Sequence, residues 1–303
     1  MPESPAPPSV EELRRPVTRR AFLIGAVGAA AAVSTAALLA GPLVLQDSVL
    51  FGPPRGKRVS ELFASDPFSV AHHGGSADWP EMSLFAYRQA VAHHADALEI
   101  SLARTSDGAW FGLHDATLDR TSGTSDFVVS DHTWRDVSRY SITANGTTDP
   151  AQPRRPYLLF EDMLREFGET HTIFVDPKTV PARYFSELLA LMRRVSNPRE
   201  TFVAKGYCTG ADWPAFAAEQ KWRSWGYYYG AEIEATPDLL GTTQSRWTSL
   251  GLDYGASSGS WAQVTALDKP VIGHIIPSKK GADRARRLGA RGLMLSGVTE
   301  VLG

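Results

Sequence analysis

The chain has 303 residues and a mass of 33.0 kDa, with 43% hydrophobic and 21% charged residues. That is length for two average domains or one large α/β barrel, with enough apolar content to bury a core unaided. Its 31 basic and 33 acidic residues give a net charge of −2, and its one cysteine is Cys208; the first excludes the basic excess of a nucleic-acid-binding protein, the second a disulfide framework or a cysteine-rich metal centre.

Residues 1–17 are rich in proline and polar side chains and read as disordered. Thr18-Arg19-Arg20-Ala21-Phe22-Leu23 follows, an arginine pair ahead of an apolar run. This is the pattern of a twin-arginine export signal, which makes the twin-arginine export machinery an expected partner. Ala21 to Leu45 carries no charge and is long enough to span a bilayer, which takes about 20 apolar residues. It therefore reads as a cleaved signal or a retained membrane anchor, with Thr35-Ala36-Ala37 a weak cleavage candidate. Either way the expected location is extracytoplasmic, secreted or membrane-anchored. Without residues 1–45, 27 basic and 30 acidic residues remain, and nothing in that total draws the body to an anionic surface. Residues 46–67 contain Gly52-Pro53-Pro54-Arg55-Gly56 and read as a linker. The folded domain is expected over residues 68–303.

From Phe68 onward, short apolar runs alternate with longer helical patterns. Strands are expected at Phe68–Ala71, Ala97–Leu102, Thr172–Asp176, Thr201–Lys205, Ser224–Tyr229, Asp253–Ser257, Val271–Ile276 and Gly292–Leu295. Helices are expected between them, among them Met82–His94, Pro181–Val195, Trp213–Trp222 and Lys280–Leu288. Such alternation implies parallel strands with helices outside, and about eight units imply a (β/α)8 TIM-type barrel. Trp110–Leu113 is a ninth strand candidate, so one of the nine is accessory or wrong. An open doubly wound sheet would want a glycine-rich dinucleotide turn after its first strand, and Ala71-His72-His73-Gly74-Gly75 is not one.

Barrel chemistry sits at the carboxyl ends of strands. The first strand runs into His72-His73, and Glu99 and Ser101 share one face of the second. Trp110–Leu113 leads into His114-Asp115, and Thr172–Val175 into Asp176-Pro177-Lys178. An acid inside an apolar strand is costly to bury unless paired or bound to metal. Each feature alone reads as packing or a salt bridge; together, at equivalent strand ends, they point to a site.

These residues carry a family resemblance. Ala71-His72-His73-Gly74-Gly75, Pro80-Glu81-Met82-Ser83, Ala95-Asp96-Ala97-Leu98-Glu99-Ile100-Ser101, Thr105-Ser106-Asp107-Gly108 and His114-Asp115-Ala116-Thr117-Leu118-Asp119-Arg120-Thr121 resemble the opening of the glycerophosphodiester phosphodiesterases. Leu288-Gly289-Ala290-Arg291-Gly292-Leu293-Met294-Leu295-Ser296 resembles their closing helix and strand. The resemblance implies a phospholipase-C-like phosphodiesterase barrel that hydrolyses glycerophosphodiesters or phospholipid headgroups with a divalent metal, Mg2+ or Ca2+. It gives His72 and His114 the roles of acid and base, and Glu99 that of a metal ligand. Asp176 stands where the family has a glutamate ligand, and Lys178 matches the phosphate-binding lysine. Glu81 matches a glutamate near the glycerol end of the site. Two positions depart from the pattern: His73 replaces an arginine that grips phosphate, and Ser101 replaces an aspartate ligand.

In the implied chemistry a cation on Glu99 and Asp176, with Ser101 beside them, polarises the phosphate. Lys178 adds positive charge, and the histidines move the protons. A second arrangement makes His73 a nitrogen ligand and favours Zn2+ or Mn2+, although strand alternation turns His73 away from His72 unless the strand has ended. Two alternatives stand beside the metal-dependent hydrolase: a metal-independent phosphatidylinositol-type phospholipase C, and a barrel that binds phosphate esters without turnover. Tyr227, Tyr228, Tyr229, Trp79, Trp225, Trp261 and His274 read first as packing, with a pocket wall as their functional reading. His93 and His94 read as surface or packing residues, and Cys208 as a buried thiol.

Overall fold

The computed structural model describes residues 55–303. The expected export signal or anchor over 1–45 and residues 46–54 of the expected linker lie outside the described residues. Eight apolar runs form parallel strands: β1 Phe68–Ala71, β2 Ala97–Arg104, β3 Thr172–Asp176, β4 Phe202–Tyr207, β5 Arg223–Tyr228, β6 Ser249–Asp253, β7 Val271–Ile276 and β8 Gly292–Leu295. They are covered by side chains within the ring and by helices outside it, which is why they read as nearly continuous apolar runs. Neighbours pair in sequence from β2 to β8, β8 pairs with β1, and β1 pairs back to β2 at Val70–Ala97. The ring is closed, a (β/α)8 barrel as expected, and an open doubly wound sheet is ruled out.

Two expected strands take different places. The run expected at Asp253–Ser257 lies at Ser249–Asp253. Ser257 is instead the N-cap of the helix Ser258–Thr265, its hydroxyl accepting from the Ser260 amide, a position that favours serine. Trp110–Gly112 pairs antiparallel with Leu102–Arg104 and stands outside the barrel circuit. It is the accessory ninth strand, and it delivers the chain to His114.

The expected linker over 46–67 also needs correction. Val59–Ala64 is a helix whose apolar residues Val59, Leu62 and Phe63 recur at helical spacing and are buried. They pack with Phe68, Val70, Ala97, Phe174, Val203, Trp225, Ile272 and Met294, the residues that fill the barrel interior. The Lys57 amide donates to the Asp96 carbonyl, and the Thr172 amide donates to the Lys57 carbonyl. The folded body therefore begins by Lys57. Among the described residues no helix is long and apolar enough to cross a membrane.

The interior layer sets the site. Side chains on a strand alternate faces, so two residues beyond an inward residue the chain points inward again. Two steps beyond Val70, Ala97, Phe174, Val203, Trp225 and Ile272 stand His72, Glu99, Asp176, Lys205, Tyr227 and His274. A polar layer thus lies on an apolar one, at the carboxyl ends of the strands.

Candidate active site

β1 ends at Ala71, and His72–Gly74 form a single 3-10 turn. His73 adopts φ 51°, and Gly74 and Gly75 follow at φ 79° and 100°, a left-handed path that glycine takes without a Cβ penalty. The turn ends strand alternation. The buried rings of His72 and His73 stack at 3.8 Å with 24° between their planes, so His73 joins the site rather than facing away from it.

Glu99 is fully buried in β2. Its Oε2 accepts the His73 amide at 2.9 Å and lies 3.9 Å from His72 Nε2 and 3.7 Å from His73 Nε2. Its Oε1 lies 2.9 Å from Lys205 Nζ. Asp176 Oδ2 stands 2.9 Å from the same Nζ and 3.6 Å from Lys178 Nζ. Parallel register puts Ser101 beside Asp176 and Phe174 beside Val203, which brings Lys205 next to Asp176. Burial pushes the Glu99 carboxyl up, but the Lys205 charge and the hydrogen bonds to the carboxylate outweigh it and hold the carboxyl below its ordinary range. Burial also disfavours a charged Lys205, yet Asp176 and Glu99 overcome it and raise the ammonium well above the usual lysine value. Tyr87 Oη donates to the Glu99 carbonyl at 2.9 Å, steadying the strand from behind.

His72 is buried, and that burial lowers its pKa to about 3 against the opposing pull of Glu99; its imidazole is neutral at physiological pH. Burial, with His72 and Lys205 adding to it, also drives His73 well below its ordinary value. His114 is half-buried, its Nδ1 2.7 Å from Asp115 Oδ1. Burial raises Asp115, but the hydrogen bonds from His114 and Arg120 prevail and keep it ionised. An ionised carboxylate only accepts, so His114 Nδ1 carries a proton. Arg120 donates from Nε to Asp115 Oδ2 at 2.6 Å and through both terminal nitrogens to Glu81 at 2.8 Å. Glu81, expected near the glycerol end, has both oxygens on Arg120 and lies 4.0 Å from His73 Nδ1. Ser101 is buried with Oγ 3.4 Å from His73 Nε2.

His72, His114, Lys178 and Lys205 line one small pocket of about 30 Å³, walled by Trp225, Tyr227 and His274; behind Lys205 lie Glu99 and Asp176, both buried. The tyrosine run splits as alternation requires: Tyr228 is buried with its hydroxyl 2.8 Å from Thr243 Oγ1, while Tyr227 and Tyr229 line the mouth. His274 Nε2 donates to the Tyr228 carbonyl at 2.9 Å, and burial lowers its pKa to about 3, so it is a neutral wall. Cys208 is a buried free thiol, as expected.

One ligand atom each from His72, His73 and Glu99 lie within 4.8 Å of one another, spacing that could hold a metal ion. The rings oppose it. An imidazole binds metal in its own plane, and planes as close to parallel as these do not meet near either nitrogen. The oxygen set expected from Glu99, Asp176 and Ser101 does not fit Mg2+ or Ca2+ as it stands either, because the Lys205 ammonium lies 2.9 Å from both Glu99 Oε1 and Asp176 Oδ2.

Sequence reasoning left Lys205, Asp115 and Arg120 without roles. Lys205 had a signal: it ends the apolar run Phe202-Val203-Ala204, where a charge demands a partner.

Residues 72–196 match the model of the "Glycerophosphoryl diester phosphodiesterase family". The chain is 32% identical over 169 residues to "Probable glycerophosphodiester phosphodiesterase 1" of Mycobacterium tuberculosis, covering 50% of this chain and 61% of that one. It is 39% identical over 148 residues to the human glycerophosphodiester phosphodiesterase 1, covering 47% of this chain and 44% of that one. The match thus spans less than two thirds of either relative's length. Among solved structures, a glycerophosphoryl diester phosphodiesterase from Parabacteroides distasonis superposes with a TM-score of 0.63 at 18% identity, covering 82% of this chain and 92% of that one. A phosphodiesterase from Oleispira antarctica gives 0.63 at 14% identity, covering 79% and 96%. At such identities these structures bear on the fold, and the fold is the same barrel.

Proposed function

With residues 72–196 carrying the signature of the glycerophosphoryl diester phosphodiesterase family, we propose that this barrel hydrolyses glycerophosphodiesters to a glycerol phosphate and a free alcohol. The observation that carries the reading is a pair of imidazoles, His72 buried and neutral and His114 hydrogen-bonded through Nδ1 to Asp115, lining one pocket with two lysines. The structure of the Oleispira antarctica phosphodiesterase, described in complex with the product sn-glycerol-3-phosphate, supports the same substrate class here.

A phosphodiester is anionic and its alkoxide leaves poorly, so the site must quench charge, activate a nucleophile and protonate the leaving group. Lys178 at the pocket wall binds the phosphate oxygens as negative charge builds on them. His72, neutral, takes a proton from the attacking water as its oxygen bonds to phosphorus. His114, held by Asp115, gives the proton that the departing alkoxide needs as its P–O bond breaks. A glycerol hydroxyl attacking in place of water would give a cyclic phosphate first. Tyr227 and Tyr229 at the mouth offer apolar faces to the glycerol or headgroup.

We also propose that the chain is exported, on the strength of Thr18-Arg19-Arg20-Ala21-Phe22-Leu23 and the uncharged run after it. Replacing Arg19 and Arg20 with lysine should retain the protein in the cytoplasm; export of that variant at the normal level would argue against this route.

The assay for function is release of glycerol phosphate from a panel of glycerophosphodiesters. His72→Ala and His114→Ala should each lower kcat by about 10²–10⁴. Unchanged turnover in either variant defeats the assignment. Binding of the diesters with no turnover in the parent protein would favour a phosphate-ester-binding barrel.

A further inference from the structure

We propose that Lys205 is the resident cation of this site, standing where a divalent ion would stand, so that the phosphodiester chemistry runs without a bound metal. The inference rests on the hydrolase reading above and deepens it.

The oxygen atoms come first. Lys205 Nζ donates to Asp176 Oδ2 at 2.9 Å and stands 2.9 Å from Glu99 Oε1, a buried oxygen that makes an ion pair there without hydrogen-bond geometry. A divalent ion shared by these oxygens would need both at about 2.0–2.6 Å, and would have to displace the ammonium from between them. The other Glu99 oxygen is committed to the His73 amide at 2.9 Å. Ser101 Oγ, the neutral oxygen expected beside them, lies 3.4 Å from His73 Nε2. Lys205 is also braced from the side, with Nζ 5.2 Å from the centre of the Tyr227 ring, a cation–π arrangement.

Charge points the same way. Two carboxylates, Glu99 and Asp176, meet two ammonium groups, Lys205 and Lys178. The cluster is neutral as it stands and meets a phosphodiester anion without repulsion. A dication added beside Lys205 would put two excess positive charges into a buried space, a costly arrangement unless one cation leaves. Lys205 is held by backbone register rather than by a loop: it lies on β4, beside Asp176 on β3. The cation is therefore built with the barrel and needs no loading step. Lys205 and Lys178 both line the pocket, one fixed and one free to grip phosphate. Bond changes are those of the hydrolysis: the water oxygen bonds to phosphorus, the alkoxide leaves with the His114 proton, and His72 keeps the proton from water.

The test uses the full chain, stripped with chelator and assayed on the glycerophosphodiester panel, with calorimetric titration of Mg2+, Ca2+, Mn2+ and Zn2+ alongside. Turnover should stay within about 2-fold in excess chelator, and no ion should bind stoichiometrically. Lys205→Met should lose at least about 100-fold in kcat. Lys205→Ser opens the space between the carboxylates, and that variant should bind a divalent ion and gain thermal stability from it. A drop of 10-fold or more in chelator that added metal restores, or stoichiometric metal binding by the parent protein, overturns the inference. So does a Lys205→Met variant as active as the parent. Should no diester turn over with or without metals, the hydrolase reading fails by itself, and the calorimetry still decides between ammonium and metal.

Discussion

Asp115→Asn tests how the acid histidine is held. Asp115 accepts from His114 Nδ1 at 2.7 Å and from Arg120 Nε at 2.6 Å. Asparagine keeps the shape and removes the charge. A hydrogen bond to a charged group contributes about 1.5–3 kcal/mol, against about 0.5–1.5 for a neutral one, so about 1–2 kcal/mol of support for the His114 imidazolium is lost. Read as a barrier, that is about 5–30-fold in kcat. If the amide nitrogen turns toward Nδ1, the ring is driven into the other tautomer and the loss is larger. KM should hardly move, because Lys178 is untouched. Folding should lose less than about 1 kcal/mol, since the pair is half-exposed and Arg120 keeps its two bonds to Glu81. The assay compares kcat on an alkyl glycerophosphodiester with kcat on a nitrophenyl one. Nitrophenolate leaves without a proton, so the defect should appear on the first substrate and vanish on the second. Equal losses on both, or none on either, would refute Asp115 as the residue that positions the acid.

Two further outcomes follow from the packing. Leu62→Ala, in the helix that closes the floor of the barrel, should cost about 2–5 kcal/mol in urea unfolding because the side chain is fully buried; a change below about 0.5 kcal/mol would show the helix to lie outside the cooperative body. His171, just ahead of β3 at the end away from the mouth, is buried with its pKa lowered to about 4 by burial. The native ring stays neutral where the unfolded ring, at 6.5, takes up a proton, so stability is full above that value and falls as pH drops toward 4. Between pH 7.5 and 5 this one group should remove about 2 kcal/mol, and His171→Phe should lose about that much less over the same interval in paired urea titrations. Equal losses in parent and variant would contradict the sign.

The apolar runs were legible as strands because both their faces are buried, and the run of eight with helices between them implied the closed ring. Errors fell where local chemistry competes with pattern. Asp253–Ser257 looked extended, but Ser257 caps a helix. Residues 57–64 sit beside a Gly-Pro cluster and read as linker, yet Val59, Leu62 and Phe63 repeat at helical spacing and fill the barrel floor. For His73 the sequence left two orientations open, away from the site if the strand continued and toward it if the strand had ended, and the 3-10 turn that begins at His72 decides for the second.

Sequence by itself determined the kind of molecule this is: a (β/α)8 ring whose strand ends carry His72, Glu99, His114, Asp176 and Lys178. Periodicity and residue chemistry are local, and they survive without coordinates. Which cation stands between Glu99 and Asp176 was decided only by tertiary structure. Lys205 lies 29 residues beyond Asp176, and nothing along the chain joins them. Closure of the barrel sets the register of β3 against β4, that register brings the two side chains together, and the low dielectric of the interior makes their charges pair.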